Sequence, residues 1–539
     1  MLTLAKGGPV KRWDGWGDSA NHYPLTDDAL AFLRERLGAA TPPRDAGFED
    51  ALRAVPGSRI AGSARFDTGA ETRLRHARAQ SFPDWIAMRS GQLGPFPDAV
   101  AAPTTHDDVA DALAQARKLG AIVIPYGGGT SVVGHLAVPV GDRPVVSLSL
   151  ERLDRLMDLD ETAQLARFGA GTPGPQVEAQ LAGKGWLLGH FPQSYELSTI
   201  GGWVVTRSSG QQSLRYGRIE NLFHSGRLAT FKGEWQVGAV PASAAGPDLR
   251  ECLMGSEGRL GLLTEVSARI RRIPERETFH AVFFPSWQQG AQAMRALAQG
   301  EIALSMLRLS NEVETETQLG LAGHPRLIAW LQRYLKLRGV GPGKVMMLAG
   351  ISGPARAVQR SLREALAVAR SHQGVHAGAR PGAGWVKNRF RSAYLRNTLW
   401  DAGYAVDTME TCLNWPQVTA YMREVEQSAR EVFQRDNERV HAYTHLSHVY
   451  RQGCSVYSTF LWRLCGDPVR ELERWGRFKQ AVSGAIVKHG GTISHQHGVG
   501  ADHAPYLPAE KGPIGMDLLR AMAREFDPDG LLNPGKLFS

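Results

Sequence analysis

Residues Pro125, Tyr126, Gly127, Gly128, Gly129, Thr130 and Ser131 follow directly on the apolar run Ala121-Ile122-Val123-Ile124. Three consecutive glycines leave the backbone free to take positive φ and to approach a ligand closely. The two hydroxyls and the successive backbone N–H groups form a nest that suits an anion such as a pyrophosphate. No Gly-Lys-Ser/Thr follows, so this is not a Walker loop. No glycine stands three residues after Gly129, so it is not a Rossmann fingerprint either. Three later segments share its character. Gln193, Ser194, Ser198 and Thr199 belong to a polar loop running into Gly201 and Gly202, where a backbone can pass close to a flat ligand. Thr206-Arg207-Ser208-Ser209-Gly210 comes next. The third, Gly255-Ser256-Glu257-Gly258-Arg259-Leu260-Gly261-Leu262-Leu263, offers exposed backbone to a heterocycle edge. Each alone reads as a turn. Their order along the chain is what groups them.

The elements that must carry these loops are legible. Residues 26–38 read as a helix capped by Thr26, with Asp27 and Asp28 in its first turn and Gly38 as its stop. Residues 107–119 form a clearer helix, acidic at its start, basic at its end and stopped by Gly120. A strand at 121–124 then feeds the glycine loop. A strand at 144–150, a helix at 175–184 and short strands up to 272 complete an α/β block. Pro274 marks a boundary. Beyond it, helices at 286–299, 354–372, 417–433 and 467–488 alternate with strands at 278–284 and 345–350, a second α+β unit. The division expected is an N-terminal segment 1–95, a ligand-binding domain 96–275, a second domain 276–490 and a returning C-terminal segment 491–539.

Bulk properties narrow the class. A chain of 539 residues, 43% hydrophobic and 21% charged, is ordinary globular protein of two or more domains. The net charge of +9, from 62 basic and 53 acidic residues, fits a phosphate-bearing substrate or an anionic membrane surface. Nucleic acid ranks below both, because no run of five or more like charges forms a basic tail. Cys252, Cys412, Cys454 and Cys465 form no Cys-x-x-Cys pair and no zinc spacing, so they read as thiols in a reducing compartment. The N-terminal stretch has no apolar h-region, no run of 18 apolar residues exists, and Leu537-Phe538-Ser539 is not a peroxisomal address of the Ser-Lys-Leu type. The expectation is a cytoplasmic protein without a signal peptide or a transmembrane helix.

The set of glycine-rich segments resembles the flavin domain shared by vanillyl-alcohol oxidase and p-cresol methylhydroxylase, in which Gly-Gly-Gly-Thr-Ser binds the FAD pyrophosphate. The closing Asn533-Pro534-Gly535-Lys536 is similar to that group as well. Two further stretches resemble alkyldihydroxyacetonephosphate synthase: Trp13-Asp14-Gly15-Trp16-Gly17 near the start, and Gly201-Gly-Trp-Val-Val-Thr-Arg-Ser-Ser-Gly210. The resemblance runs from about residue 11 to residue 538. It implies an α+β fold: a two-subdomain FAD-binding domain of the p-cresol methylhydroxylase type, plus an α+β substrate (cap) domain. It implies FAD bound without a covalent link, although His135, shortly after the cradle, is of the type that could carry one.

Site residues follow from the same resemblance, one position at a time. Cys454-Ser-Val-Tyr457-Ser-Thr-Phe460 matches the family's Cys-x-x-Tyr-x-x-Phe, so Tyr457 resembles its catalytic tyrosine. Tyr394-Leu-Arg396 matches the substrate-binding arginine, whose fork suits a phosphate. Leu307-Arg308-Leu309 matches a second arginine important for activity. Ser494-His495-Gln496-His497 matches three successive histidines, with Gln496 in the middle place. On an extended segment His495 and His497 face the same side, where they could bind phosphate or move a proton near neutral pH. No third ligand stands at a helpful spacing, so no metal is expected. The activity implied is net non-redox: the acyl group of acyl-dihydroxyacetone phosphate is replaced by a long-chain alcohol, with the flavin as nucleophile and electron sink. Such substrates imply a peripheral membrane surface, and the resemblance implies a homodimer. The competing reading is a FAD-dependent oxidoreductase acting on a 2-hydroxy acid or an alcohol, which would share the cradle and use an arginine for a carboxylate.

Overall fold

The computed structural model describes residues 10–238, 240–321 and 325–538. The expectations that concern the first nine residues and Ser539 lie outside them. Helices form where the caps and charges direct. Asp27–Leu37 is capped by Thr26, whose hydroxyl accepts from the Ala29 N–H. His106–Lys118 starts one residue earlier than its acidic turn suggested. Thr105 and Asp108 close a reciprocal capping box there. Its apolar side, Val109, Ala112, Leu113 and Ala116, is buried against a small parallel sheet.

That sheet runs in the order Ala99–Ala101, Val145–Ser149, Ile122–Tyr126. The last of these continues two residues beyond the apolar run and includes Pro125. An edge position tolerates a residue that cannot donate to the ladder. Leu531 O accepts from Val123 N, and Asn533 N donates to Val123 O, so the C-terminal segment completes this edge. A five-stranded antiparallel sheet packs beside it, in the order Leu156–Asp160, Leu165–Gly169, Leu262–Arg269, Phe223–Thr230, Gly233–Gly238.

The chain beyond Pro274 builds a seven-stranded antiparallel sheet. Its order is Val375–Gly378, Arg276–Phe284, Val345–Gly353, Met306–Ser310, Val440–Val449, Gly453–Arg463, Tyr404–Asn414. Helices Trp287–Gln299, Ala355–Ser371, Trp415–Arg435 and Pro468–Lys488 bury their apolar stripes against one face, where Tyr421, Val425, Phe433, Phe478 and Trp462 are among the most buried side chains. The other face carries Arg308, Thr408, Tyr443, His445, Tyr457 and Thr459 at alternating positions and forms a wall of the central cavity. No helix among the described residues is long and apolar enough to cross a membrane.

Candidate active site

A cavity of about 1360 Å³ lies between the glycine-rich loops and the polar face of the large sheet. All of Pro125 to Ser131 line it. The three glycines have different reasons to be glycine. Only Gly129 has positive φ, at 67°. A Cβ on Gly128 would lie 1.8 Å from Leu197 O, and one on Gly127 would lie 2.7 Å from Thr199 Oγ1. The loop is therefore pressed against the Gln193–Thr199 segment as much as it is opened to a ligand. Gly201 and Gly202 prove to sit inside a short helix, Ile200–Val205, capped by Thr199, and not in a loop.

Gln193, Ser194, Ser198, Thr199, Gly202, Thr206, Ser208, Ser209, Glu257, Gly258, Gly261 and Leu263 also line the cavity. Two expected cofactor residues do not. Arg207 turns outward to Glu251, 2.6 Å away, and Leu260 is packed in the interior. Glu257 proves to be a brace. Its carboxylate accepts from Val499 N at 2.6 Å and Gly500 N at 2.9 Å, which ties the C-terminal segment to the cradle. His135 is held between Ser131 Oγ at 2.6 Å and Glu257 Oε2 at 3.0 Å. Only Nδ1 makes a hydrogen bond, to Ser131; Nε2 faces the Glu257 carboxylate without one.

Arg396 lies on the short helix Leu395–Asp401. Its guanidinium stacks 4.6 Å from the Trp85 ring, and Nη1 donates to Gln80 O. Nη2 is buried without a hydrogen-bond partner among the described residues, and the side chain lines the cavity. Burial pulls its pKa down to about 10, so it stays charged at neutral pH. The N-terminal Trp-Asp-Gly-Trp-Gly motif sets this helix in place. Trp16 N donates to Asn397 Oδ1 at 3.0 Å, and Asn397 Nδ2 returns a bond to Trp16 O at 2.9 Å. Gly17, at φ 79°, leaves room for the Tyr394 ring, which a Cβ would meet at 2.3 Å. Gln80 links these parts: its backbone donates to Ser131 O in the glycine loop, and its side chain donates to Gly15 O.

Tyr457 projects from the strand Gly453–Arg463 into the cavity. The His445 ring stacks on it at 4.9 Å, the His497 ring meets it edge-on at 6.0 Å, and its hydroxyl lies 3.4 Å from Gln193 Oε1. Burial raises its pKa well above the ordinary phenol value. Arg308 lines the same wall but is already paired, donating to Glu314 Oε1 at 2.6 Å with His445 Nδ1 at 3.2 Å. Burial alone would raise the Glu314 pKa; His445 and Arg308 instead hold the carboxylate ionised.

The histidine segment divides. His497 and Gln496 line the cavity; His495 does not. His495 Nδ1 donates to Glu410 Oε1 at 3.1 Å, and Tyr450 donates its hydroxyl to Nε2 at 2.8 Å. Both histidines do face one side, toward Glu410. The residues missed in the sequence are Glu410, Glu314, His445, His448 and the cavity-lining Arg389. A signal existed. Thr408 and Glu410, or Tyr443, His445 and Ser447, put polar residues at every second place in strands that should bury them. Glu410, His448 and His495 bring ligand-type atoms within 4.8 Å of one another, partners that spacing alone did not supply. The direct Glu410–His495 bond closes this group on itself as an acid–base network.

The family described as "FAD binding domain" matches residues 97–238, and "FAD linked oxidases, C-terminal domain" matches residues 273–537. The chain belongs to this class of FAD-linked enzymes, and FAD is its cofactor. Within the class it resembles alkyldihydroxyacetonephosphate synthase. The Trypanosoma brucei brucei synthase is 27% identical, over 98% of this chain and 92% of its own length. The Caenorhabditis elegans synthase is 28% identical, over 98% and 95%. A solved alkyldihydroxyacetonephosphate synthase has the same fold, with a TM-score of 0.81 at 24% identity over 97% of this chain and 98% of that one. A p-cresol methylhydroxylase structure has a TM-score of 0.66 at 14% identity, over 92% and 98%.

Proposed function

We propose that this enzyme exchanges the acyl group of acyl-dihydroxyacetone phosphate for a long-chain alcohol, forming an ether lipid precursor without net redox change. The observation that carries the reading is Arg396: a buried, charged guanidinium with a free N–H edge on the wall of a largely apolar cavity. A phosphate head on a lipid tail is a ligand with those two needs. Residues 125–131, with Ser198, Thr199 and Ser208, would hold the FAD pyrophosphate and ribityl chain. Bound there, FAD supplies a nucleophilic ring nitrogen and an electron sink. Arg396 binds the substrate phosphate. His497 removes the proton from C1, and Tyr457, protonated throughout the neutral range, donates to the departing carboxylate.

Apolar side chains extend the cavity away from this centre. Met346, Leu348, Leu319, Ile328 and Leu331 lead to the helix Pro325–Leu337. That helix exposes Leu327, Trp330 and Leu337 beside Arg326, Arg333, Lys336 and Arg338. A basic amphipathic helix at a cavity mouth suits a peripheral contact with an anionic bilayer, from which both lipids could enter. Incubation with palmitoyl-dihydroxyacetone phosphate and hexadecanol, without an electron acceptor, should release palmitate and form the ether. Turnover only with a 2-hydroxy acid and an added dye or oxygen would replace this reading with the dehydrogenase.

A further inference from the structure

Glu410 stands on the strand Tyr404–Asn414, directly across from Tyr457, which is itself across from His445. The three side chains occupy one level of the sheet. Glu410 is 2% exposed and does not line the cavity. Its two carboxylate oxygens differ. Oε1 accepts from His495 Nδ1 at 3.1 Å and from the Ser455 hydroxyl. Oε2 is buried with no hydrogen-bond partner among the described residues, and it lies 3.8 Å from His497 Nε2.

A buried carboxylate oxygen left without a donor is costly. The donor facing this one is the imidazole on the cavity wall. Hydrogen bonds of catalytic groups are commonly long until substrate is bound and then tighten. His495 cannot compete for the substrate proton, because both its nitrogens are committed, one to Glu410 and one to Tyr450. Tyr450 is in turn anchored by Arg218 Nη1 at 3.3 Å. The Arg218–Tyr450–His495–Ser455 frame fixes Oε1 and so fixes the direction of Oε2.

We propose that Glu410 is a positioning carboxylate for the reaction. It holds His497 with its proton on Nε2, leaves Nδ1 with the lone pair, and stabilises the imidazolium formed during turnover. The inference rests on the proposed reaction. In the step concerned, the C1–H bond of the substrate breaks and its proton forms an N–H bond at His497 Nδ1. The electron pair stays on the substrate, spread toward the neighbouring carbonyl. Glu410 itself takes no proton, in the manner of a carboxylate that orients a histidine base. Burial pushes the pKa of His497 below the ordinary imidazole value, and Glu410 opposes that push. The other charged or titratable groups facing His497 are Lys479 from Pro468–Lys488, His495, His503, Asp407 from the Glu410 strand, and Tyr457 at its ring edge. Removing the Glu410 charge therefore lowers the His497 pKa further and weakens the base.

The test is Glu410→Gln in the FAD-loaded enzyme, compared with wild type. The expected result is an unchanged flavin spectrum, a kcat lower by roughly 100-fold, and a KM within about twofold, as for a group acting only through the transition state. The acid limb of kcat should move to lower pH, which a merely structural defect would not produce. In a His497→Asn background the same change should add nothing. Wild-type kcat and pH profile in Glu410→Gln, or a loss that adds in full to His497→Asn, would overturn the proposal. Should the variant fail to load FAD, ¹⁵N-histidine spectra of the wild-type holoenzyme decide the matter. A proton on His497 Nε2 supports the proposal, and one on Nδ1 refutes it. Inactivity of the wild type with both lipids would strike the reaction instead, and the tautomer would still judge the carboxylate.

Discussion

At the scale of single residues, Tyr457 and Arg396 make separable demands. Tyr457 lies in an apolar sandwich between His445 and His497, and its phenol titrates far above neutrality. It can serve as a proton donor and not as a standing phenolate. Tyr457→Phe preserves the ring stacking and removes only the hydroxyl. We expect FAD to remain bound and kcat to fall by about 100-fold or more, the usual weight of a proton-transfer group. Near-normal turnover would take Tyr457 out of the chemistry. For Arg396 the informative change is to Lys, which keeps the charge and the stem over Trp85 but loses the fork. A charged hydrogen bond is worth about 1.5–3 kcal/mol, so KM for the phosphorylated substrate should rise roughly ten- to a hundredfold with kcat less affected. An unchanged KM would mean that the phosphate binds elsewhere. Arg308 offers a weaker handle, because its Nη2 is already shared between Glu314 and His445, although its Nε is buried without a hydrogen-bond partner among the described residues.

At the scale of elements, the helix Pro325–Leu337 joins the cavity to the outside. Leu327, Ile328 and Leu331 line the cavity, while Trp330 and Leu337 are 72% and 86% exposed. The segment 321–344 contains no acidic residue. Each Lys or Arg near an anionic surface contributes about 1 kcal/mol. The protein should therefore co-sediment with phosphatidylserine-containing vesicles, and less with neutral ones. The Trp330→Ser, Leu337→Ser double variant should lose most of that binding while remaining folded; full retention would assign the contact to another surface. This helix was not among those expected from the sequence, whereas the helices near 107–119, 286–299, 354–372, 417–433 and 467–488 were. The difference is physical. Those helices bury their apolar stripe in the core, whereas the helix Pro325–Leu337 carries one broad stripe that it leaves partly exposed at Leu327, Trp330 and Leu337. The glycine cradle and Arg396 were legible because local spacing or a family motif marks them. Glu410, His445 and His448 were not, since each is a lone polar residue until strand pairing sets them side by side. His448 even sits at a bulge with φ 42°, a local turn of the strand toward the Ser209 hydroxyl 2.9 Å away.

At the scale of the whole molecule, the site is a seam between parts distant in sequence, and buried histidines in and behind its walls are held neutral. His190 lies beneath the flavin loops, 3.1 Å from Ser208 Oγ, and burial drops its pKa to about 3. His448, on the large sheet beside Ser209, is likewise pulled down to about 3, by burial first. His441, bonded to Thr317, is pulled down to about 4. In the unfolded chain each titrates near the ordinary value of about 6.5. The unfolded state therefore binds more protons below that pH, and stability falls as pH falls. Their contribution is fully present above about pH 6.5 and is lost on the way down to the folded values. Each depressed histidine removes about 1.4 kcal/mol per pH unit in that window. Three together, over about two units, approach the entire stability of a typical domain of 5–15 kcal/mol. Glu314 and Glu410, both held ionised in the fold, add to the loss below the ordinary carboxylate pKa. The enzyme should thus be acid-labile through its seam: the Tm of the holoenzyme should drop steeply between pH 7 and pH 5. FAD should be released in the same transition, and unfolding at pH 5.5 should take up at least two protons. Calorimetry in buffers of different ionisation enthalpy measures the Tm and the protons, and flavin fluorescence measures the release. A Tm that stays level from pH 7 to pH 5, or proton release on unfolding, would mean that these histidines are not neutral in the folded protein.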